Sequence, residues 1–151
     1  MRKMHFEISI NTKPEKIWDA IVDDKKYREW TSPFQKGSYF EGGWNKGDKI
    51  QFLTLNEKGE KEGMASEIAE SRKNSFISIR HLGNILNGKE DTTSEEVRKW
   101  APAYENYTLS QLGEKTKFEV DADADETFYN MFKDVWPKAL EKLKEVAERP
   151  S

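Results

Sequence analysis

The longest periodic run of apolar residues lies at the end of the chain. From Asp125 to Glu148 they recur at Phe128, Met131, Phe132, Val135, Trp136, Ala139, Leu140, Leu143, Val146 and Ala147. This i, i+3, i+4, i+7 spacing predicts one amphipathic helix of about six turns, roughly 36 Å long at about 1.5 Å per residue. Lys133, Asp134, Lys138, Glu141, Lys142 and Glu145 fall on the opposite, solvated side. Asp123-x-x-Glu126 has the spacing of a capping box at the helix start. Pro137 removes one backbone hydrogen bond, so a bend is expected there. The apolar stripe stays in phase across it, which argues against two separate helices. A stripe this long needs a sheet to lie on.

Upstream the period changes. Met4 to Ile10 alternates Phe6, Ile8 and Ile10 against His5, Glu7 and Ser9, the mark of a half-buried strand. Thr12-x-x-Glu15 with Pro14 predicts a short helix whose buried edge is Ile17, Trp18, Ile21 and Val22. Asp23 or Asp24 caps a second short helix through Trp30, and Pro33 and Phe34 fall in its exit loop. Strands are then expected over Lys36–Glu41, Asp48–Leu55, Glu62–Ser71, Phe76–Leu82, Tyr104–Leu112 and Thr116–Ala122. Gly42-Gly43, Asn56-Glu57-Lys58-Gly59, Arg72-Lys73-Asn74 and Gly113-Glu114 mark the turns. Connections this short make neighbours antiparallel, hence a meander. Between Gly83 and Ala103 the pattern lapses. Asn84 to Thr93 reads as a polar connection, and Thr93-x-x-Glu96 caps one helical turn ending near Trp100. That connection is either a lid or a solvated surface loop pinned by Trp100.

A chain of 151 residues without repeats is expected to form one domain with one core. Its 25 basic and 28 acidic residues give a net charge of −3, with no basic excess for a phosphate backbone, so nucleic acid is disfavoured. No apolar run approaches a membrane span and no signal peptide opens the sequence, so a cytoplasmic protein is expected. Cysteine is absent, which excludes disulfides and thiolate metal sites. Aromatic residues make up 12% of a chain that is only 35% hydrophobic. Bulky rings in so modest a core leave irregular gaps, a hint of ligand space.

The order is a strand, two short helices, six strands and one long helix. Together with Pro14 and Trp18 in the first helix, and Trp136-Pro137-Lys138-Ala139-Leu140 and Leu143-Lys144 in the last, it resembles the SRPBCC (START-like) superfamily. Within it, the chain is similar to the branch named after the activator of heat-shock-protein-90 ATPase. The resemblance spans essentially the whole sequence. It implies an α+β helix-grip fold: a curved antiparallel sheet wrapped around the C-terminal helix, with a cavity between them. It also implies an apolar or aromatic ligand such as a lipid, sterol, polyketide or flavonoid-like molecule. A co-chaperone-like interaction module and a cyclase- or hydrolase-type enzyme are the alternatives it leaves open.

In that fold, strand parity turns Ile50, Phe52, Met64, Ile68, Ile77, Ile79, Tyr107, Leu109, Phe118 and Val120 toward the long helix. Phe128, Met131, Phe132, Val135 and Trp136 face them in return, and Trp30, Phe34 and Trp44 are expected near the mouth. Each is ordinary core, ligand wall, or both. Two polar residues break the apolar parity: His81 continues the Ile77–Ile79 face and Glu105 the Tyr107–Leu109 face. An inward histidine and carboxylate each need a partner, so the two are expected either to anchor a ligand or to satisfy one another. No residue is assigned a catalytic role. With only His5 and His81 there is no histidine-rich metal cluster, and no calcium-loop spacing, phosphate loop, dinucleotide fingerprint or Gly-x-Ser-x-Gly. No cofactor and no metal are therefore expected. The expected state is a monomer or weak dimer, with a small apolar ligand, or a chaperone, as partner.

Overall fold

The computed structural model describes residues 1–150. Strand β1 (Arg2–Ile10) is followed by helices α1 (Pro14–Val22) and α2 (Asp24–Trp30). Strands β2 (Tyr39–Gly42), β3 (Lys49–Leu55), β4 (Lys61–Arg72), β5 (Phe76–Leu86) and β6 (Lys89–Asp91) come next. The short helix α3 (Glu95–Arg98), strands β7 (Ala103–Leu112) and β8 (Lys115–Ala124), and the long helix α4 (Glu126–Glu148) complete the chain. One curved antiparallel sheet runs in the order β1-β8-β7-β5-β4-β3-β2, with β6 paired to β5. The meander is closed by β1, which returns to pair along β8 from Arg2 opposite Ala124 to Ile10 opposite Thr116.

The core forms where α1, α2 and α4 cover the concave face of this sheet. Ile10, Ile17, Ile21, Ile50, Ile68, Ile77, Ile79, Leu109, Phe118 and Val120 are buried in one cluster with Trp136, Ala139, Leu140, Leu143, Val146 and Ala147 of α4. Burying one such Leu or Ile side chain contributes about 1.5–3 kcal/mol, more than any exposed ion pair here. Pro137 leaves α4 unbroken, because it stands on the exposed face where solvent reaches the freed carbonyl of Lys133.

Several ends differ from the sequence expectation. Helix α4 is capped by Asp125, whose carboxylate accepts from the Thr127 amide. Asp123 is occupied elsewhere, accepting from the Tyr104 amide at 2.9 Å and from Lys3 at 2.5 Å. Helix α1 begins without a side-chain cap: Pro14 presets its first turn, while the Thr12 carbonyl accepts from the Thr116 hydroxyl. Ser94 rather than Thr93 caps α3. Strand β2 starts at Tyr39, three residues later than expected, since Gly37 with φ of 87° holds the preceding segment in a turn.

The largest difference is in the connection expected to be structureless after Gly83. Strand β5 continues to Leu86 and turns at Asn87-Gly88, with φ of 53° and 75°, into β6. Leu86 pairs with Lys89, so this is a two-residue hairpin whose central residues both have φ > 0, the geometry that Asn-Gly favours. Gly83 is required beside it. A Cβ there would lie 2.0 Å from the Asp91 carbonyl oxygen.

Candidate functional site

Between the sheet and the first half of α4 lies a cavity of about 500 Å³. Its floor is aromatic. Trp30, at the end of α2, is 1% exposed. Its indole stands 6.4 Å from the rings of both Tyr107 and Trp136 and 5.7 Å from Tyr27. Phe34, in the loop that follows, packs edge-on to Trp136 at 4.7 Å. Edge-to-face packing of this kind fixes ring orientation as well as burying area. The rim is different: Phe128 and Met131 line the cavity yet are 48% and 47% exposed.

The expected site residues divide. Trp30, Phe34, Phe52, Met64, His81, Glu105, Tyr107, Phe128, Met131, Phe132, Val135 and Trp136 line the cavity. Ile68, Ile77, Ile79, Leu109 and Phe118 do not; they are buried in the core cluster that also holds Ala139, Leu140, Leu143, Val146 and Ala147 of α4. Trp30 belongs to the floor instead of the mouth, drawn inward by the three rings around it. Trp44 lies behind the wall, with its ring 5.2 Å from Phe40 and 5.8 Å from Phe52. The indole N–H groups of Trp30 and Trp44 are buried without a hydrogen-bond partner.

One end of the cavity is polar. The His81 ring contacts the Ser66 hydroxyl through Nδ1 at 2.7 Å and the Glu105 carboxylate through Nε2 at 3.0 Å. Tyr107 donates its hydroxyl to the other oxygen of Glu105. Sheet register brings them together, because His81 lies opposite Ser66 on β4, while Ile79 lies opposite Glu105 on β7. The imidazole and the carboxylate are thus diagonal neighbours on one face. A neutral imidazole satisfies the whole chain: Nε2–H donates to Glu105, and Nδ1 accepts from Ser66. Burial holds the Tyr107 phenol protonated far beyond the ordinary tyrosine range, and the Glu105 charge adds to this. Tyr27 is raised for the same two reasons, in the same order.

Further residues in or behind the wall lay outside the set expected from the sequence. Just beyond His81, the extra residue Leu82 shifts the pairing of β5 with β4 and reverses parity, so Asn84 lines the cavity while Ile85 joins Leu53 and Ala65 in a separate small cluster. Ser66 was legible in principle, since it sits between Met64 and Ile68 at inward parity. Tyr27 could have been found three residues before Trp30 on one helix face. Trp100, the residue expected to pin the long connection, is also in the wall. All four methionines of the chain, Met1, Met4, Met64 and Met131, line this one cavity.

A second titratable cluster lies on the surface of β1 and β8. His5 Nδ1 is 2.7 Å from Asp121, and Nε2 is 3.2 Å from Glu7 and 3.7 Å from Glu119. His5, Glu7 and Glu119 bring their ligand atoms within 4.8 Å of one another, which is metal-like spacing. The Lys117 ammonium, 3.7 Å from both Glu7 and Glu119, already supplies the counter-charge. The hydrogen bond to Asp121, then that to Glu7, raises the His5 pKa above the ordinary value. No helix among the described residues is long and apolar enough to cross a membrane.

Solved structures share the architecture. Protein MLL2253 from Mesorhizobium loti superposes with a TM-score of 0.72 at 17% identity, over 99% of both chains. ChR145 from Cytophaga hutchinsonii gives 0.73 at 20%, over 98% of this chain and 94% of that one. The Aha1 dimer from Colwellia psychrerythraea gives 0.68 at 17%, over 98% and 97%. At such identities the likeness is one of fold. No curated protein matches the sequence. Residues 11–148, however, match the family described as activator of Hsp90 ATPase homolog 1-like protein. With that match covering most of its length, and with the grip of sheet on helix seen above, the chain belongs to the activator of Hsp90 ATPase homolog 1-like family.

Proposed function

We propose that the protein is a small-molecule binding protein, and that it holds a largely apolar, aromatic-sized ligand in the cavity under the first half of α4. The observation that carries this reading is the cavity itself. About 500 Å³ falls within the range of ligand pockets, and its wall combines many apolar groups with a few convergent polar ones. The His81–Glu105–Tyr107 group gives a ligand's polar end a fixed place to bond. The methionine thioethers give its body an adaptable wall. Phe128 and Met131, half exposed on the rim, supply an entrance that costs little apolar burial to open.

Ser66, His81 and Glu105 follow one another as a nucleophile, base and acid would, but Ser66 is 3% exposed and forms no part of the cavity wall. A substrate in the cavity cannot reach that hydroxyl, so we assign this chain of hydrogen bonds to positioning and assign no catalytic residue. A panel of fatty acids, sterols and flavonoids, titrated while the amide spectrum is recorded, tests the reading. Shifts concentrated at residues 128–136 are expected; a spectrum unmoved by every compound would remove it.

The family's description favours a second reading, a chaperone-interaction module, and one similar structure is that of an Aha1 dimer. Retention of the protein on immobilised cognate chaperone, insensitive to the cavity variants Phe132→Ala and Val135→Ala, would support it over the first. As part of the first reading, the chain works as one START-like domain in the cytoplasm, monomeric or weakly dimeric.

A further inference from the structure

The charged side chains lining the cavity are acidic, and among the described residues its one cation is the Met1 α-amino group beside Asp123. Side chains of Glu62, Glu105, Asp123 and Asp125 belong to its lining residues, and among the described residues no lysine or arginine does. Most of these carboxylates are already engaged. Asp123 holds Lys3, with the Met1 α-amino group close enough to depress its carboxyl further. Asp125 caps α4 through the Thr127 backbone amide, and Glu62 accepts from the Asn56 side-chain amide at 3.2 Å. Glu105 is the inner one. Its side chain is 22% exposed, and its partners are a tyrosine hydroxyl and the imidazole of His81, with no lysine or arginine paired to it.

Two bonded donors leave a carboxylate with unused lone pairs, and Glu105 lines a cavity walled largely by rings. A negative charge in such a place favours a cation beside it, and a carboxylate ligand brought there would bury two like charges together. The rings act in the same direction, since aromatic side chains such as Trp136, Tyr107 and Phe34 in the wall favour a desolvated cation over an anion. The buried phenols of Tyr27 and Tyr107 stay neutral, so they add a hydroxyl dipole without adding charge.

We propose that the cavity selects a ligand carrying a protonated amine on an apolar, partly aromatic body, with the ammonium on Glu105, and discriminates against a carboxylate of the same shape. This rests on the cavity being a ligand site and names the class of ligand it takes. The alcohol of matching shape ranks between the two, because it can donate one hydrogen bond to Glu105 but brings no charge.

The test uses three isosteric probes, 4-phenylbutylamine, 4-phenylbutanol and 4-phenylbutyrate, titrated at pH 7 into the wild-type protein and into Glu105→Gln, with affinity read by calorimetry or tryptophan fluorescence. The expected order is amine, alcohol, carboxylate. The amine should lead the carboxylate by about tenfold or more, the scale of one charge-assisted hydrogen bond. In Glu105→Gln the ratio of amine to alcohol affinity should fall to about threefold or less, because the accepting oxygen remains but the charge is gone. A thermal melt shows whether the variant is folded; if it is not, the wild-type ranking decides alone. Carboxylate binding as tight as amine, or alcohol as tight as amine, overturns the proposal and leaves the cavity's role as a ligand site intact. A preference for amine that survives unchanged in a folded Glu105→Gln overturns the assignment to Glu105. Binding of none of the three overturns this proposal, and the reading it rests on is then decided by the panel of fatty acids, sterols and flavonoids.

Discussion

The two halves of α4 carry the same apolar period and do opposite things with it. Beyond Trp136, every stripe position is buried: Ala139, Leu140, Leu143, Val146 and Ala147 are at most 3% exposed. Before it, Phe128 and Met131 stand half exposed, and Phe132 and Val135 are only partly covered. The difference lies in what faces each half. Ala139 and Ala147 let the helix approach the sheet closely, and β1, β8, α1 and α2 close around it. In the first half the stripe is made of large side chains, and the surface opposite is the far wall of the cavity. An apolar stripe therefore reports which face of a helix turns inward, and says nothing of whether anything fills the space it faces.

The comparison is broken most forcefully by truncation. Leu143→Ala should cost about 2–5 kcal/mol of stability, since the side chain is fully buried and the surrounding cluster cannot collapse around the gap. Met131→Ala should cost about 0.5 kcal/mol or less, as for an exposed position. Denaturant unfolding of both variants checks this; equal losses would mean that the two halves are packed alike.

The polar end sharpens it next. His81→Ala removes the partner of the buried Ser66 hydroxyl and one of the two partners of Glu105, and leaving a buried group unsatisfied costs about 1–3 kcal/mol. His81→Gln keeps one donor or acceptor and should recover part of that loss. Identical melting temperatures for wild type and His81→Ala would show that the contacts carry no weight.

Phe132→Ala is expected to act on binding more than on folding. It opens the wall beside Phe34 without exposing the cluster under the second half of α4, so uptake of a neutral dye such as Nile red should weaken by about tenfold, the value of one buried aromatic contact. A variant that loses stability but keeps dye affinity would reverse the assignment.

How much of this could be read from the sequence follows the same division. Hydrophobic periodicity located α4, the strand pairs and the inward set, because each rests on local spacing and one parity. The contact between His81 and Glu105 was legible for that reason too: both break an apolar alternation on what parity makes neighbouring strands. What failed to show depends on a single inserted residue or on competition for a partner. Leu82 reverses parity with no mark in composition, and Asp123 forfeits its capping role because a strand amide and Lys3 claim it first. Asn87-Gly88 was a missed signal: the dipeptide names the hairpin, yet it was hidden in a polar stretch. The cavity itself lies beyond pattern reading, since it depends on where side chains stop short of one another.

The smallest expected effect is at the surface. The hydrogen bonds and charges of Asp121 and Glu7 raise the His5 pKa in the folded state, so the stability they lend is full below the pKa of unfolded histidine, about 6.5. It is lost as pH rises through the higher folded value. The group is largely exposed, so the effect is screened and small. A proton NMR titration should place the His5 midpoint above that of a free histidine and lower it in Asp121→Asn. An unmoved midpoint would dismiss the cluster as a set of unpaired surface charges.

The four methionines provide the most direct probe of the central claim, that the first half of α4 roofs a space which takes a ligand. With methyl-labelled methionine and 4-phenylbutylamine as titrant, the Met4, Met64 and Met131 signals should shift together along one binding curve, because all three line the same cavity. Three methyl signals that stay in place at saturating probe, or that move with unrelated midpoints, would contradict it.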